Sequence, residues 1–272
     1  MSHMNDPDHT LLVAAARSAA RAIRPVMRVL DGSGRLKHTG TAFILGNQNE
    51  RLFVTAEHVL KGCEAKRVGV SEAGSLSWPR TYKRLASTTD NGPDADIAYT
   101  FAEVELSVDG ALSAAIPLES VAHSLVAEQG MSFLAVGFPS SKAKPRHAQT
   151  KLSTKLMSVV THAEPEERYD QLQLDPAVFI ATRYDPQALR GLDGEEFVGA
   201  DPHGMSGGVL FQPLLVSRND GKHEVLLLIA GVLIRYYKAP HSALVATRID
   251  CLLDVVAPFR PPASRLYRSA DA

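Results

Sequence analysis

One serine in this chain is framed by residues that suit it to chemistry. It lies in Asp201-Pro202-His203-Gly204-Met205-Ser206-Gly207-Gly208-Val209-Leu210-Phe211. Glycine reaches φ > 0 and leaves the backbone unshielded. Gly204 therefore permits a tight turn whose N–H groups point into a cleft, and Gly207 and Gly208 keep side chains clear of an approaching carbonyl. A serine hydroxyl is a weak nucleophile without an adjacent base, and small residues in a turn are commonest simply as turns. Two upstream stretches supply what is missing. Arg51-Leu52-Phe53-Val54-Thr55-Ala56-Glu57-His58-Val59-Leu60 reads as an apolar strand ending in a histidine. Pro93-Asp94-Ala95-Asp96-Ile97-Ala98-Tyr99-Thr100 brings an aspartate into another. Serine, histidine and aspartate are the parts of a nucleophile, its general base and the group that orients the base.

Taken in order, Thr55-Ala56-Glu57-His58, Asp96-Ile97-Ala98 and Gly204-Met205-Ser206-Gly207-Gly208 resemble the marks of the trypsin-like (chymotrypsin-fold) serine proteases, in their bacterial, disulfide-poor form. Ala135-Val136-Gly137-Phe138-Pro139 is similar to the Gly-aromatic-Pro that opens the second barrel of that family. The resemblance runs from about Arg24 to Ala257. It implies a serine endopeptidase that acts on a protein or peptide through an acyl-enzyme, with no cofactor and no metal. His58, Asp96 and Ser206 would be catalytic. Asp96 is preferred to its neighbour Asp94 because it directly precedes Ile97-Ala98. The N–H groups of Gly204 and Ser206 would form the oxyanion hole. Ala200, Asp201, His203, Leu233 and Ile234 would belong to the substrate pocket, without choosing between a basic and an apolar preference.

The chain also departs from the family. Met205 stands where many relatives carry Asp or Asn, an acid that pairs with a new N-terminus when a zymogen is cut. This protein is not expected to mature that way, which leaves open what orders its oxyanion turn and leaves room for an activating partner protein. Val209 replaces a proline, and Glu57 beside His58 replaces a small residue. Without a secretion signal or activation pattern, limited or regulatory cleavage is the expected role. A catalytically silent protease-fold binding module is the main alternative, although all three triad positions are filled. An α/β-hydrolase esterase also fits Gly204-x-Ser206-x-Gly208. That fold needs a helix after the serine and the order Ser, Asp, His with ample chain beyond, and here a strand-like run follows.

The elements that must position these residues are legible as short strands. The chain has 272 residues, 45% hydrophobic and 22% charged, ordinary for a globular protein. A net charge of −1 gives no field to attract nucleic acid or a membrane surface. Only Cys63 and Cys251 occur, which suggests a reducing, cytoplasmic compartment and buried free thiols. The longest apolar run, Val225 to Ile234, is far short of the roughly 20 residues that span a membrane. Asp8 to Ile23 is alanine-rich and reads as a helix, with Asp8 as N-cap and Pro25 ending the run. Arg17, Arg21, Arg24 and Arg28 recur at helical spacing and read as a solvated face.

Strands are expected at 26–30, 39–45, 52–55, 67–70, 82–86, 97–101 and 115–118. A second set is expected at 131–136, 156–161, 171–174, 178–182, 209–211 and 225–234. Turns are expected at 31–34 and 46–50. Their spacing predicts an all-β protein. With the family resemblance, this gives two packed six-stranded antiparallel β-barrels with short N- and C-terminal helices. The expected domains are an N-terminal extension and helix at 1–23 and a first barrel at 24–120 carrying His58 and Asp96. A second barrel at 121–248 carries Ser206, and a C-terminal helix and tail occupy 249–272. A basic segment (Lys142, Lys144, Arg146, His147, Lys151) and an acidic one (Glu164, Glu166, Glu167, Asp170) read as solvated loops.

Overall fold

The computed structural model describes residues 6–30, 36–46, 51–61, 68–72, 75–77, 83–85, 95–101, 114–146, 151–187, 189–190, 196–197 and 201–256. Ala200, Asp94, Cys63, the turn at 31–34 and the tail from Pro258 lie outside them. The architecture is all-β, chymotrypsin-like, with two antiparallel sheets and a few short helices.

The first sheet is built from β1 (Ile23–Val29), β2 (Leu36–Gly46), β3 (Arg51–Ala56), β4 (Val68–Glu72), β5 (Ser75–Ser77), β6 (Lys83–Leu85) and β7 (Ile97–Phe101). Its order is β5-β4-β1-β2-β3-β7-β6, and the short β8 (Ile116–Pro117) runs parallel to the end of β2. The second sheet takes β9 (Ser132–Gly137), β12 (Met157–His162), β13 (Phe179–Arg183), β14 (Leu189–Arg190), β15 (Glu196–Phe197), β16 (Val209–Ser217), β17 (His223–Tyr237) and β18 (Ala243–Arg248). Its order is β13-β18-β17-β16-β9-β12-β14-β15. A bridge between Ala163 and Thr182 joins the end of β12 to β13, closing six of these strands on themselves. The hairpin β14–β15 is an appendage, which is why the strand count exceeds six. Between β9 and β12, β10 (Lys144–Arg146) pairs with β11 (Lys151–Ser153), so the expected basic loop contains a small hairpin.

Period-two alternation decides what each face meets. Along β9, Phe133 and Ala135 face the interior of the second sheet with Ile180, Leu210 and Leu233. Leu134 and Val136 face the other way, into a cluster containing Phe43, Val54 and Leu52 of the first sheet. The largest core cluster thus runs through both sheets. Complete burial of a Phe or Leu is worth about 1.5–3 kcal/mol, and Phe43, Phe133 and Phe211 are fully buried.

Helix α1 spans Asp6–Ala20 and lies against β17 through Leu12 and Ala16, an i,i+4 pair buried on one face. It starts and ends earlier than expected. Pro7 suits a first turn, where its missing N–H costs nothing, and so Asp8 lies inside the helix rather than at its cap. At the other end Pro25 biases Arg24 to extended backbone. Arg24 and Arg28 consequently belong to β1, and the four arginines do not share the solvated helix face that was expected.

A second correction concerns 171–174, expected as a strand. These residues end helix α3 (Glu166–Leu172), and Gln173 closes it in the left-handed conformation at φ 55. Glu166 and Glu167 in the first turn favour the positive end of the helix, while Tyr169 and Leu172 bury the inner face. The acidic segment is therefore largely helix. At the C-terminus α4 spans Ile249–Val255, close to the expected helix. No helix among the described residues is long and apolar enough to cross a membrane.

Candidate active site

Strand β3 does not end in the histidine. It stops at Ala56, and His58 sits in a one-turn helix, α2 (Glu57–Leu60), whose Val59 and Leu60 are buried. That turn is pinned to the start of β7. The N–H of Glu57 donates to the carbonyl of Asp96 at 2.9 Å, and the N–H of His58 donates to Asp96 Oδ1 at 2.9 Å. The second carboxylate oxygen, Oδ2, lies 2.6 Å from His58 Nδ1. A carboxylate only accepts, so Nδ1 carries the hydrogen and Nε2 is left as the base. Asp96 holds both the ring and the main chain of one residue. It reaches that position at φ 47, a left-handed conformation that Asp tolerates better than most residues. The preceding carbonyl, of Ala95, accepts from Thr247 Oγ1 at 2.6 Å, tying this corner to β18.

Ser206 sits in the turn before β16, and its carbonyls are fully accounted for. The carbonyl of His203 accepts from Ser140 N–H at 2.7 Å, and that of Gly204 from Thr41 Oγ1 at 2.9 Å. The carbonyl of Met205 accepts from Gly208 N–H at 2.8 Å, and that of Ser206 from Thr41 N–H at 2.7 Å. In a trans peptide N–H and C=O point in opposite directions. Holding the carbonyls of His203 and Met205 against the protein therefore turns the N–H groups of Gly204 and Ser206 outward. Among the described residues neither N–H has an acceptor. Gly204 has φ +97, and a Cβ there would stand 2.4 Å from Ser140 Oγ. Gly207, at φ +83, passes so close to β2 that a Cβ would meet the carbonyl of Thr41 at 1.9 Å. Those glycines are required by space as well as by backbone conformation.

His58 and Ser206 line one cleft of about 270 Å³ with Thr39, Asp201, His203, Gly204, Leu233 and Ile234. Two β-bulges face it. In β1–β2 the register steps from Val26↔Gly40 to Met27↔His38, leaving Thr39 as the extra residue. In β17–β18 it steps from Leu233↔Ala246 to Arg235↔Val245, leaving Ile234. Bulges re-aim a backbone locally. Here the freed carbonyl of Ile234 accepts from the Ser206 hydroxyl at 3.3 Å, so in this conformation Ser206 is not bonded to His58.

Asp201, His203, Leu233 and Ile234 thus lie where the sequence expected a pocket, while Ala200 is outside the described residues. Met205 and Tyr236 also line it, as do Lys238 and Leu244, which were not expected. The signal for Leu244 was cross-strand register, since it pairs with Tyr236. Tyr184, fully buried, meets Tyr236 edge to face at 5.3 Å. Asp201 is occupied: Oδ1 accepts from the N–H of His203 at 2.9 Å, and Oδ2 lies 4.0 Å from Lys238 Nζ. Behind the turn His38 is buried, with Nδ1 3.0 Å from Ser140 Oγ. Burial pushes its pKa down to about 4, with the charge of His203 adding to the effect and a backbone contact at Gly40 opposing it.

Elsewhere, Cys251 is free and buried, and burial pushes its thiol pKa up. A larger concavity of 780 Å³ holds Glu128, Glu164, Glu166, Glu167 and Asp250 but none of the residues that line the cleft of His58 and Ser206.

No protein-family model matches the sequence, and no curated protein matches it. Solved structures do. A serine endoprotease from Yersinia pestis superposes with a TM-score of 0.50 at 16% identity, covering 91% of this chain but only 66% of that one. The Rv3671c protease from M. tuberculosis, in its active form, gives 0.46 at 15% identity over 96% of this chain and 89% of that one. The protease Anisep from Arthrobacter nicotinovorans gives 0.48 at 16% identity over 88% and 96%. The strand order, the closed second sheet and the Yersinia superposition agree: the fold of this chain is that of the chymotrypsin-like bacterial serine proteases.

Proposed function

We propose that this protein is a serine endopeptidase that cleaves a protein substrate through an acyl-enzyme. The observation that carries the reading is the shared cleft, where Ser206 and an Asp96-held His58 stand on its wall. Ser206 Oγ attacks the scissile carbonyl carbon as its proton passes to His58 Nε2. The carbonyl oxygen takes the negative charge and meets the N–H groups of Gly204 and Ser206, donors aimed where charge develops. Collapse breaks the C–N bond, and the leaving amine takes the proton from His58. Water then attacks the ester with His58 again as base, releasing the acid and restoring Ser206. Asp96 fixes the tautomer and favours the imidazolium.

The pocket favours an aliphatic side chain before the cut. Leu233, Ile234, Tyr236 and Leu244 supply apolar wall, and the carboxylate of Asp201 already has partners. A P1-varied peptide library is expected to rank Val, Ala or Leu above Arg, and an Arg optimum would overturn this assignment. Low cysteine content favours work in a reducing, cytoplasmic compartment, and limited rather than bulk cleavage suits a chain without an activation pattern.

The test is intact-mass labelling with a fluorophosphonate. One adduct mapped to Ser206 is expected on the wild type and none on Ser206→Ala or His58→Ala, whose turnover should fall about 10⁴–10⁶-fold. A folded wild type that takes no adduct sinks the reading. It would favour the second one, a protease-fold binding module without turnover, to which the Ser206–Ile234 hydrogen bond points.

A further inference from the structure

We infer that Thr41 is the positioning residue of the oxyanion turn, doing from β2 what no acid at position 205 is present to do. The inference rests on the reading of Ser206 as the nucleophile. Met205 is buried at 1% exposure, and its main chain packs against Gly137, so it orders nothing through charge. Thr41 is completely buried, and four hydrogen bonds converge on it. Its N–H donates to the carbonyl of Ser206 at 2.7 Å. Its hydroxyl donates to the carbonyl of Gly204 at 2.9 Å and accepts from the N–H of Phe138 at 2.9 Å. Its carbonyl accepts from Thr55 Oγ1 at 2.6 Å, on the strand that leads into His58.

Two of the four carbonyls that set the turn are thus held by one residue. The backbone bond would survive any substitution at 41 except proline, but the hydroxyl bridge needs a hydroxyl side chain. That bridge spans three segments: β2, the Gly137-Phe138-Pro139 corner and the turn itself. Without it the buried carbonyl of Gly204 loses its donor and the Gly204–Met205 peptide is free to turn towards another one. That peptide lies between the two that carry the N–H groups of Gly204 and Ser206, so any such rotation changes ψ at Gly204 and φ at Met205 and spoils the mutual alignment of the two donors towards the developing oxyanion.

Thr41→Val keeps shape and removes the bridge. Its kcat per active site, counted by burst titration, is expected to fall about 10²-fold, as for loss of one oxyanion donor. KM should change less than kcat and the shape of the pH profile should stay as it is, because Thr41 itself does not line the pocket and His58 is not touched. Thr41→Ser is expected to restore turnover, since it keeps the hydroxyl. If the valine variant does not fold, Thr41→Cys carries the test, with a similar volume and a weaker donor. A folded Thr41→Val or Thr41→Cys with wild-type kcat per titrated site would overturn the inference, and so would Thr41→Ser falling as far as Val. A wild type that takes no fluorophosphonate overturns the underlying reading itself, and the two failures are distinguishable.

Discussion

Asp96 presents two oxygens to two different N–H groups of His58, and this makes asparagine an informative replacement. The amide offers one acceptor and one donor. With its oxygen kept on the His58 main-chain N–H, the NH₂ faces Nδ1 and selects the tautomer protonated at Nε2, which cannot accept from Ser206. Asp96→Asn is expected to fold, to bind substrate and to lose about 10⁴-fold in kcat. Steady-state kinetics at neutral pH check this, and an Asp96→Asn variant within tenfold of wild type would contradict it. That Asp96 meets His58 and that His58 shares a cleft with Ser206 was legible in the sequence, because each residue sits in a local pattern of small and apolar neighbours and the patterns fall in order. Thr41 was not legible. A threonine in an apolar strand is ordinary there, and its partners at Gly204, Ser206 and Phe138 are distant in sequence. Leu244 escaped for a related reason, since the bulge at Ile234 shifts the register by which a pocket wall would be counted.

At the scale of elements, strands of β-branched and aromatic residues were readable from alternation, and α4 was readable too, whereas the short helices α2 and α3 were not. Gln171 to Leu174 looked like a strand because its apolar residues alternate, yet the Glu-rich segment before it is a better helix start than a loop. Placement of α1 was partly legible, and its packing was not, because β17 lies far along the chain. Leu12 is 4% exposed on the face that meets β17. Leu12→Ala is expected to cost about 2–5 kcal/mol, the transfer and cavity cost of a buried leucine. Denaturant unfolding measures it, and a loss below about 1 kcal/mol would mean that α1 is not docked as described.

For the whole molecule, acid stability follows from His38. In the unfolded chain this side chain titrates near 6.5, and in the folded protein near 4. Between those values the unfolded state binds more protons, so the part of the stability linked to His38 is complete above pH 6.5 and is lost as pH falls towards 4. At 1.36 kcal/mol per pKa unit the loss is on the order of 3 kcal/mol. Denaturant unfolding at pH 7 and pH 4.5 should show wild type losing more stability than His38→Gln, and equal losses would refute the assignment. The ring is packed beside Ser140 and faces His203, so the effect is centred where the two sheets meet behind the turn.

The left-handed backbone at Asp96 narrows what any variant of this protein can carry there. Glutamate keeps the charge but tolerates φ 47 poorly and places its carboxylate one methylene too far out. Glycine accepts the backbone and has nothing to offer the imidazole. Asparagine accepts the backbone and keeps an oxygen for the His58 main chain, and it inverts the hydrogen that the imidazole needs. A designer grafting this constellation onto another scaffold would therefore have to transplant a backbone torsion along with three side chains. Random mutation at position 96 has no neighbouring sequence that is both folded without strain and chemically equivalent.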